Sequence, residues 1–171
     1  MPLLIRPERP ADFDAIARVT AAAFGRENEA RLVELVRASG NYVPELSLVA
    51  EDDGEIVGHT MLSYAKLTGD EEYDVLVLAP VSVMPERQRQ GIGSALIERA
   101  IELADARGEP LIQLLGHPSY YPRFGFEPAR AHGIEPPDPR MADAAFMVRK
   151  LSSYDPRYRG RLTYPPAFDV T

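Results

Sequence analysis

Val81–Leu96 reads VSVMPERQRQGIGSAL: a branched apolar strand end passes through a proline and a polar loop into a helix start built of small residues. Gly91 and Gly93 let a ligand come close to the backbone. The unbonded amides of a first helical turn offer donors, and the positive end of the helix dipole, to an anion. Phosphate is the anion such a turn suits, and Arg87 and Arg89 add guanidinium groups matched to its oxygens. Two other phosphate turns do not fit. A P-loop needs Gly-Lys-Ser/Thr, and no lysine stands here. A dinucleotide fingerprint follows its strand almost directly, whereas Met84 through Gln90 intervene, Pro85 among them. A helix start that merely packs has no need of two arginines beside two glycines.

Working outward, YDVLVLAPVSV (Tyr73–Val83) is a run of branched apolar residues that predicts a strand buried on both faces. From Gly93 to Ala106, Leu96, Ile97, Ala100, Ile101 and Ala104 form one apolar stripe, and Gly108 ends that helix. LIQLLG (Leu111–Gly116) is the next short strand. Strand, helix, strand in succession implies a parallel pair with a right-handed crossover. Upstream, Leu46–Asp52 and Glu55–Leu67 flank the turn dipeptide Asp53–Gly54 and predict a hairpin.

Before the hairpin, Ala11–Phe24 carries Phe13, Ile16, Ala17, Thr20, Ala23 and Phe24 at helical spacing, and a second helix runs from roughly Glu27 to Ala38. Further strands are expected at Phe126–Arg130 and Ala144–Leu151. The aromatics of the proline-rich tail around Thr163–Phe168 are expected in the core. The class is α+β with a mixed sheet, and 171 residues suit a single domain over 1–171.

Composition narrows the chemistry. Hydrophobic residues make 45% and charged residues 26% of the chain, an ordinary globular balance. A net charge of -7 argues against a nucleic-acid partner, whose phosphates want a basic surface, and mildly favours cationic substrates. With no cysteine there is no disulfide, thiolate-zinc site or cysteine nucleophile. The three histidines, His59, His117 and His132, lack ligand spacing, so no metal is expected. MPLLIRPERP is too short an apolar stretch for a signal-peptide core or a membrane span, which predicts a cytoplasmic protein with no membrane partner.

QRQGIG (Gln88–Gly93), preceded by VSVMP, resembles the Gln/Arg-x-x-Gly-x-Gly/Ala signature of the GNAT superfamily of N-acyltransferases. YYPRFGF (Tyr120–Phe126) resembles that family's Tyr-x-x-x-Gly-Phe, placed after the following strand. The helix pair, the hairpin and the tail LTYPPAF are similar to a bacterial YhbS-like branch of predicted acetyltransferases, so the resemblance covers nearly the whole chain. It implies a GNAT-like fold: a twisted mixed sheet flanked by helices, with a splayed parallel strand pair that admits the thioester of acetyl-coenzyme A.

By the family pattern, backbone groups of Val81 and Val83 pair with the pantetheine arm. The amides of Gln88, Arg89, Gln90, Gly91, Ile92, Gly93 and Ser94 hold the pyrophosphate. The Val83 amide is the candidate oxyanion donor. Tyr121 is the candidate general acid for the leaving sulfur, with Tyr120 as competitor; a free tyrosine, with its pKa near 10, is protonated at neutral pH. The base is left open among His117, which stands beside the splay, His59, Glu27 and a water chain. The implied activity is transfer of the acetyl group by direct attack in a ternary complex, to a small-molecule amine or a protein amine. The alternative is a non-catalytic acyl-coenzyme A binding or sensor module, against which the presence of Tyr121 argues. Such folds often form homodimers, and nothing in the sequence decides that point.

Overall fold

The computed structural model describes residues 3–171. Its strands are β1 (Leu4–Pro7), β2 (Tyr42–Asp52), β3 (Glu55–Thr68), β4 (Glu72–Val83), β5 (Leu111–Leu115), β6 (Glu127–Pro128), β7 (Ile134–Glu135), β8 (Phe146–Lys150) and β9 (Gly160–Thr163). The α-helices are α1 (Phe13–Phe24), α2 (Asn28–Arg37) and α3 (Ile92–Ala106). Among the described residues the nine strands form one mixed sheet, ordered β1-β2-β3-β4-β5-β8-β6, with β9 pairing both β3 and β7.

The hairpin forms as the turn dipeptide predicts. Asp53 and Gly54 both take positive φ, 52° and 81°, the conformation that matches a two-residue turn to the twist of its strands. β3 outruns its partner: β2 pairs with it as far as Tyr42↔Ser63, and β9 then takes over the same edge from Lys66 to Thr68. β4 and β5 are the expected parallel pair, with α3 as the crossover.

Helices cover both faces. On one side Leu96, Ile97, Ala100 and Ala104 of α3 sit against Leu48, Leu62, Leu76 and Ile112, all fully buried. Burial of a leucine such as Leu96 contributes about 2 kcal/mol. On the other side Ile16, Leu32, Val33 and Val36 of α1 and α2 pack on Val49 and Met61. A third cluster centres on Phe146 of β8 and includes Leu162 of β9. No helix among the described residues is long and apolar enough to cross a membrane.

Three expectations change. The N-terminal segment contributes an edge strand, β1, paired antiparallel to β2 from Leu4↔Glu51 to Pro7↔Leu48. The Phe126–Arg130 strand shrinks to the two residues of β6, because Ala129 begins a 3-10 turn. The packed tail is led in by a strand that was not expected, β9, and closes in a turn at Pro166–Val170.

Candidate active site at the open edge of β4

β4 and β5 part almost as soon as they meet. Their register pairs are Leu76↔Ile112 and Val77↔Gln113, and β4 continues to Val83 without β5 beside it. On its other side β4 stays paired with β3, but the register passes from Leu62↔Leu78 to Thr60↔Val81. Three steps on β4 therefore match two on β3, and the extra residue forms a bulge at Ala79–Pro80 that bends the strand. The Met84 amide donates to the Val57 carbonyl at 2.9 Å. In an antiparallel ladder hydrogen-bonded pairs alternate with non-bonded ones, so the backbone groups of Val83 and Val81 point away from β3. They face the edge that β5 has left. The Val83 carbonyl accepts from the Gln88 side-chain amide at 3.1 Å.

Beyond Val83 the chain makes a 3-10 turn at Pro85–Arg87 and then takes left-handed conformations at Arg89, φ 65°, and Gly91, φ 85°. Gly91 is the residue that needs this freedom as N-cap of α3, since a side chain there costs about 1–2 kcal/mol. Among the described residues the amides of Arg89, Gln90, Gly91, Ile92, Gly93 and Ser94 donate to no protein acceptor, while the Gln88 amide bonds to Pro85 at 3.4 Å. Such a row of donors without protein acceptors at a helix N-terminus suits an anion. The two arginines divide: Arg87 pairs with Asp52 of β2 at 2.5 Å, whereas Arg89 has no carboxylate partner among the described residues. Of the two arginines expected beside the phosphate, Arg87 is thus engaged by Asp52. At the helix start the Ser94 hydroxyl and the Tyr120 hydroxyl are hydrogen-bonded at 3.1 Å.

A cleft of about 680 Å³ opens beside the bulge, lined by Leu78–Val81 of β4 and by Leu115, Gly116 and His117. Tyr121 lies on its floor. The ring packs flat enough on Gly116 that a Cβ there would stand 2.4 Å from Tyr121 Cε2. Edge contacts with Tyr120 and Phe126 hold the other sides, at centroid distances of 5.1 and 6.1 Å. Burial pushes the Tyr121 hydroxyl up to about 12, with the neighbouring Tyr120 adding to the shift. Exposed His117 stands at the mouth, and its carbonyl receives the amides of Tyr120 and Tyr121 at 3.2 and 3.4 Å, closing the turn that presents both rings.

The remaining lining comes from elements distant in sequence: Phe24 at the end of α1, Glu29 and Leu32 of α2, and Tyr164 and Phe168 of the tail. The Tyr164 and Phe168 rings stack at 5.2 Å. Tyr164 donates to Gln113 Oε1 at 2.8 Å, and burial pushes its hydroxyl up to about 12. The tail aromatics were expected in the core; they pack there on one side and face the cleft on the other.

A family model described as an acetyltransferase (GNAT) domain matches residues 4–129, more than half of the chain. The chain belongs to the GNAT acetyltransferase family. As a GNAT enzyme it is an N-acetyltransferase that takes its acetyl group from acetyl-coenzyme A. Among its relatives, the uncharacterized N-acetyltransferase YjhQ of Escherichia coli K12 is 35% identical over 84% of this chain and 81% of its own length. The uncharacterized N-acetyltransferase YhbS of the same strain is 32% identical over 88% of each. Among solved structures, the Escherichia coli YhbS complex with coenzyme A superposes with a TM-score of 0.88 at 30% identity, covering 98% of this chain and 92% of that one. A GNAT family acetyltransferase from Brucella melitensis in complex with acetyl-coenzyme A gives 0.80 at 34% identity, covering 98% and 99%.

Within this GNAT domain the structure separates the residues that the motifs singled out. Val81, His117 and Tyr121 line the cleft, whereas Val83 lies past its lining, toward the glycine turn. Tyr120 belongs to the helix end through Ser94 rather than to the cleft. His59 lies elsewhere. It is fully buried, with Nε2 3.1 Å from Glu8 Oε1 and 3.0 Å from Ser47 Oγ, and burial holds its pKa below the ordinary histidine range. The same Glu8 carboxylate accepts from Arg37 at 2.8 Å and Tyr42 at 2.6 Å, which holds it well below the usual carboxylate range despite its burial. That cluster ties β1, α2, β2 and β3 together and leaves His59 sealed off from the cleft. Glu27 precedes α2 as its N-cap and is not part of the lining; Glu29, two residues on, is. His132 pairs with Glu127 at 2.5 Å, away from the cleft.

Proposed function

We propose that this GNAT enzyme binds acetyl-coenzyme A with its pyrophosphate on the amides from Arg89 to Ser94 and its pantetheine arm along the open edge of β4. The acetyl group then lies in the cleft beside Tyr121, and a small-molecule amine is its acceptor. The observation that carries this reading is the juxtaposition of a free row of helix-start amides, an unpaired strand edge and a cleft on one continuous path.

Acetyl-coenzyme A supplies a thioester carbonyl open to attack by a neutral amine and a thiolate able to leave. The Val81 amide, aimed into the splay and part of the cleft, donates to the carbonyl oxygen as negative charge develops there. That assignment moves the oxyanion donor two residues from Val83, whose amide is placed for the pantetheine arm. Tyr121 keeps its proton at neutral pH. Full transfer from a phenol at about 12 to a thiolate of ordinary pKa, about 8.5, is uphill by about 5 kcal/mol. Tyr121 therefore acts as the hydrogen-bond donor that stabilises the departing sulfur, and the proton lost by the amine completes the thiol. His117, at the mouth, takes to solvent the earlier proton, the one the alkylammonium must lose to become a neutral nucleophile before it attacks. We assign the reaction to a single domain over the chain and to the cytoplasm. The acceptor remains free to be a protein amine only if the mouth admits a chain segment.

Initial rates measured over both substrates test the reading. Direct attack in a ternary complex gives intersecting double-reciprocal lines. Parallel lines would mean an acetyl-enzyme intermediate and overturn direct attack, and acetyl-coenzyme A binding with no transfer to any amine would favour the sensor module instead.

A further inference from the structure

We infer that the acceptor is a primary amine carried on an apolar, aromatic-sized body, held in the lobe between α1–α2 and the tail. The inference rests on the N-acetyltransferase reading of the same cleft and adds the chemistry of the amine. Three large hydrophobic side chains among the described residues are exposed: Leu4, Phe24 and Leu115, at 49%, 42% and 52%. Leu4 lies on the edge strand β1; Phe24 and Leu115 both line this cleft. Exposed apolar groups gathered at one concave site mark what the site binds, since solvent gives no reason to keep them there. The stacked pair Tyr164 and Phe168 continues the same wall and offers ring faces to a flat guest.

Charge then selects among apolar guests. Glu29 is the acidic side chain of the lining, only 8% exposed, and it accepts from Arg26 Nε at 2.9 Å and Nη2 at 2.5 Å. Arg26 itself is 51% exposed and lies on the solvent side. A carboxylate has about four lone-pair positions, and Arg26 uses two, so Glu29 can still receive an ammonium from within the cleft. A long acyl chain would meet an uncompensated cost beside that carboxylate, and a polyamine would meet one anion and several apolar walls. An amine with one charge and one apolar body matches both features.

The test is a panel of acceptors at fixed acetyl-coenzyme A: 2-phenylethylamine and tyramine against putrescine, spermidine and a lysine-bearing peptide, with release of thiol as readout. The aromatic amines are expected to exceed the polyamines and the peptide at least tenfold in kcat/KM. Glu29→Gln is expected to raise KM for 2-phenylethylamine about tenfold, and the surface change Leu115→Ser to lower its kcat/KM severalfold. Both variants should bind acetyl-coenzyme A as the wild type does in a calorimetric titration. Preference for spermidine or the peptide, no transfer to any amine despite acetyl-coenzyme A binding, or tenfold tighter binding of octanoyl-coenzyme A that the aromatic amine displaces, each overturns the inference and leaves the donor site standing. Binding of acetyl-coenzyme A with no transfer to any amine overturns the parent enzyme reading as well, and failure of acetyl-coenzyme A itself to bind overturns its donor site too.

Discussion

Replacing Gly116 by alanine probes Tyr121 without altering its hydroxyl. The added Cβ would stand 2.4 Å from Tyr121 Cε2 and 2.8 Å from Cδ2. Carbon atoms settle at about 3.5 Å, so the ring must retreat by about 1 Å. Gly116 is not in the left-handed region, and its amide still reaches the Ala145 carbonyl, so the backbone tolerates alanine. Repacking costs about 1–3 kcal/mol, which a thermal melt reads as a fall of a few degrees for a chain of this size. A displacement of about 1 Å in a reacting geometry is worth about 100-fold in rate. The expected result is a folded variant whose kcat falls about 100-fold while its affinity for acetyl-coenzyme A stays within about twofold. Tyr121→Phe, which removes the hydrogen bond to the departing sulfur, should lose a similar factor, about 10²–10³ being the usual reach of one donor to developing charge. The double variant should be no slower than Tyr121→Phe alone, because both changes act through one group. A wild-type kcat for Gly116→Ala, or losses that multiply in the double variant, would refute the placement of Tyr121 at the reacting sulfur.

Other outcomes follow from the same geometry. Gly58→Ala would bring a Cβ to 3.0 Å from Ile92 Cγ2 and Leu96 Cδ1, so it should cost about 1–3 kcal/mol and, by lifting the start of α3, weaken acetyl-coenzyme A binding in calorimetry. Tyr120→Phe, which removes the hydroxyl on Ser94, should loosen acetyl-coenzyme A several-fold and leave kcat nearly unchanged, the reverse of the Tyr121→Phe pattern. Glu8 and His59 both have folded pKa values below their unfolded ones, so their contribution to stability is present above the unfolded values and is lost on acidification. The urea concentration needed to unfold the protein should therefore fall as pH drops below about 6.5 for His59 and again below about 4.3 for Glu8. Glu8→Gln, which leaves Arg37 without its buried partner, should cost about 3 kcal/mol and abolish the lower step.

The parts of the molecule that the sequence made readable are those whose physics is local. The stretch Val81–Leu96 announces a helix-start anion site because the glycines, the arginines and the strand end are consecutive. Asp53–Gly54 likewise decides its hairpin within two residues. The acceptor lobe could not be read in that way. Phe24, Glu29, Leu115 and Phe168 lie on four elements, and each looks ordinary where it stands. Phe24 falls on the apolar stripe of its helix and was expected to be buried, yet the cleft leaves it exposed. The tail aromatics were assigned to the core because aromatic residues near prolines carry no period; their second face became visible only once β9 fixed the tail against β3. Glu27 and Glu29 are equivalent as helix-start acids, and only the packing of α2 shows which one enters the lining. β1 escaped notice because four residues at a sheet edge, half exposed, leave no alternation long enough to register.

Whether the Arg89–Ser94 turn holds the pyrophosphate is read by a calorimetric titration of the purified protein with acetyl-coenzyme A, with Gly91→Glu as the control. Glutamate at 91 places both strain and a negative charge at the anion site, while space around that residue leaves the fold intact as read by circular dichroism. The wild type should bind in the micromolar range, NAD should not bind at the same concentration, and the variant should lose more than tenfold in affinity. Equal affinity in a folded Gly91→Glu variant, or no binding by the wild type, would contradict the assignment of the Arg89–Ser94 turn as the pyrophosphate site.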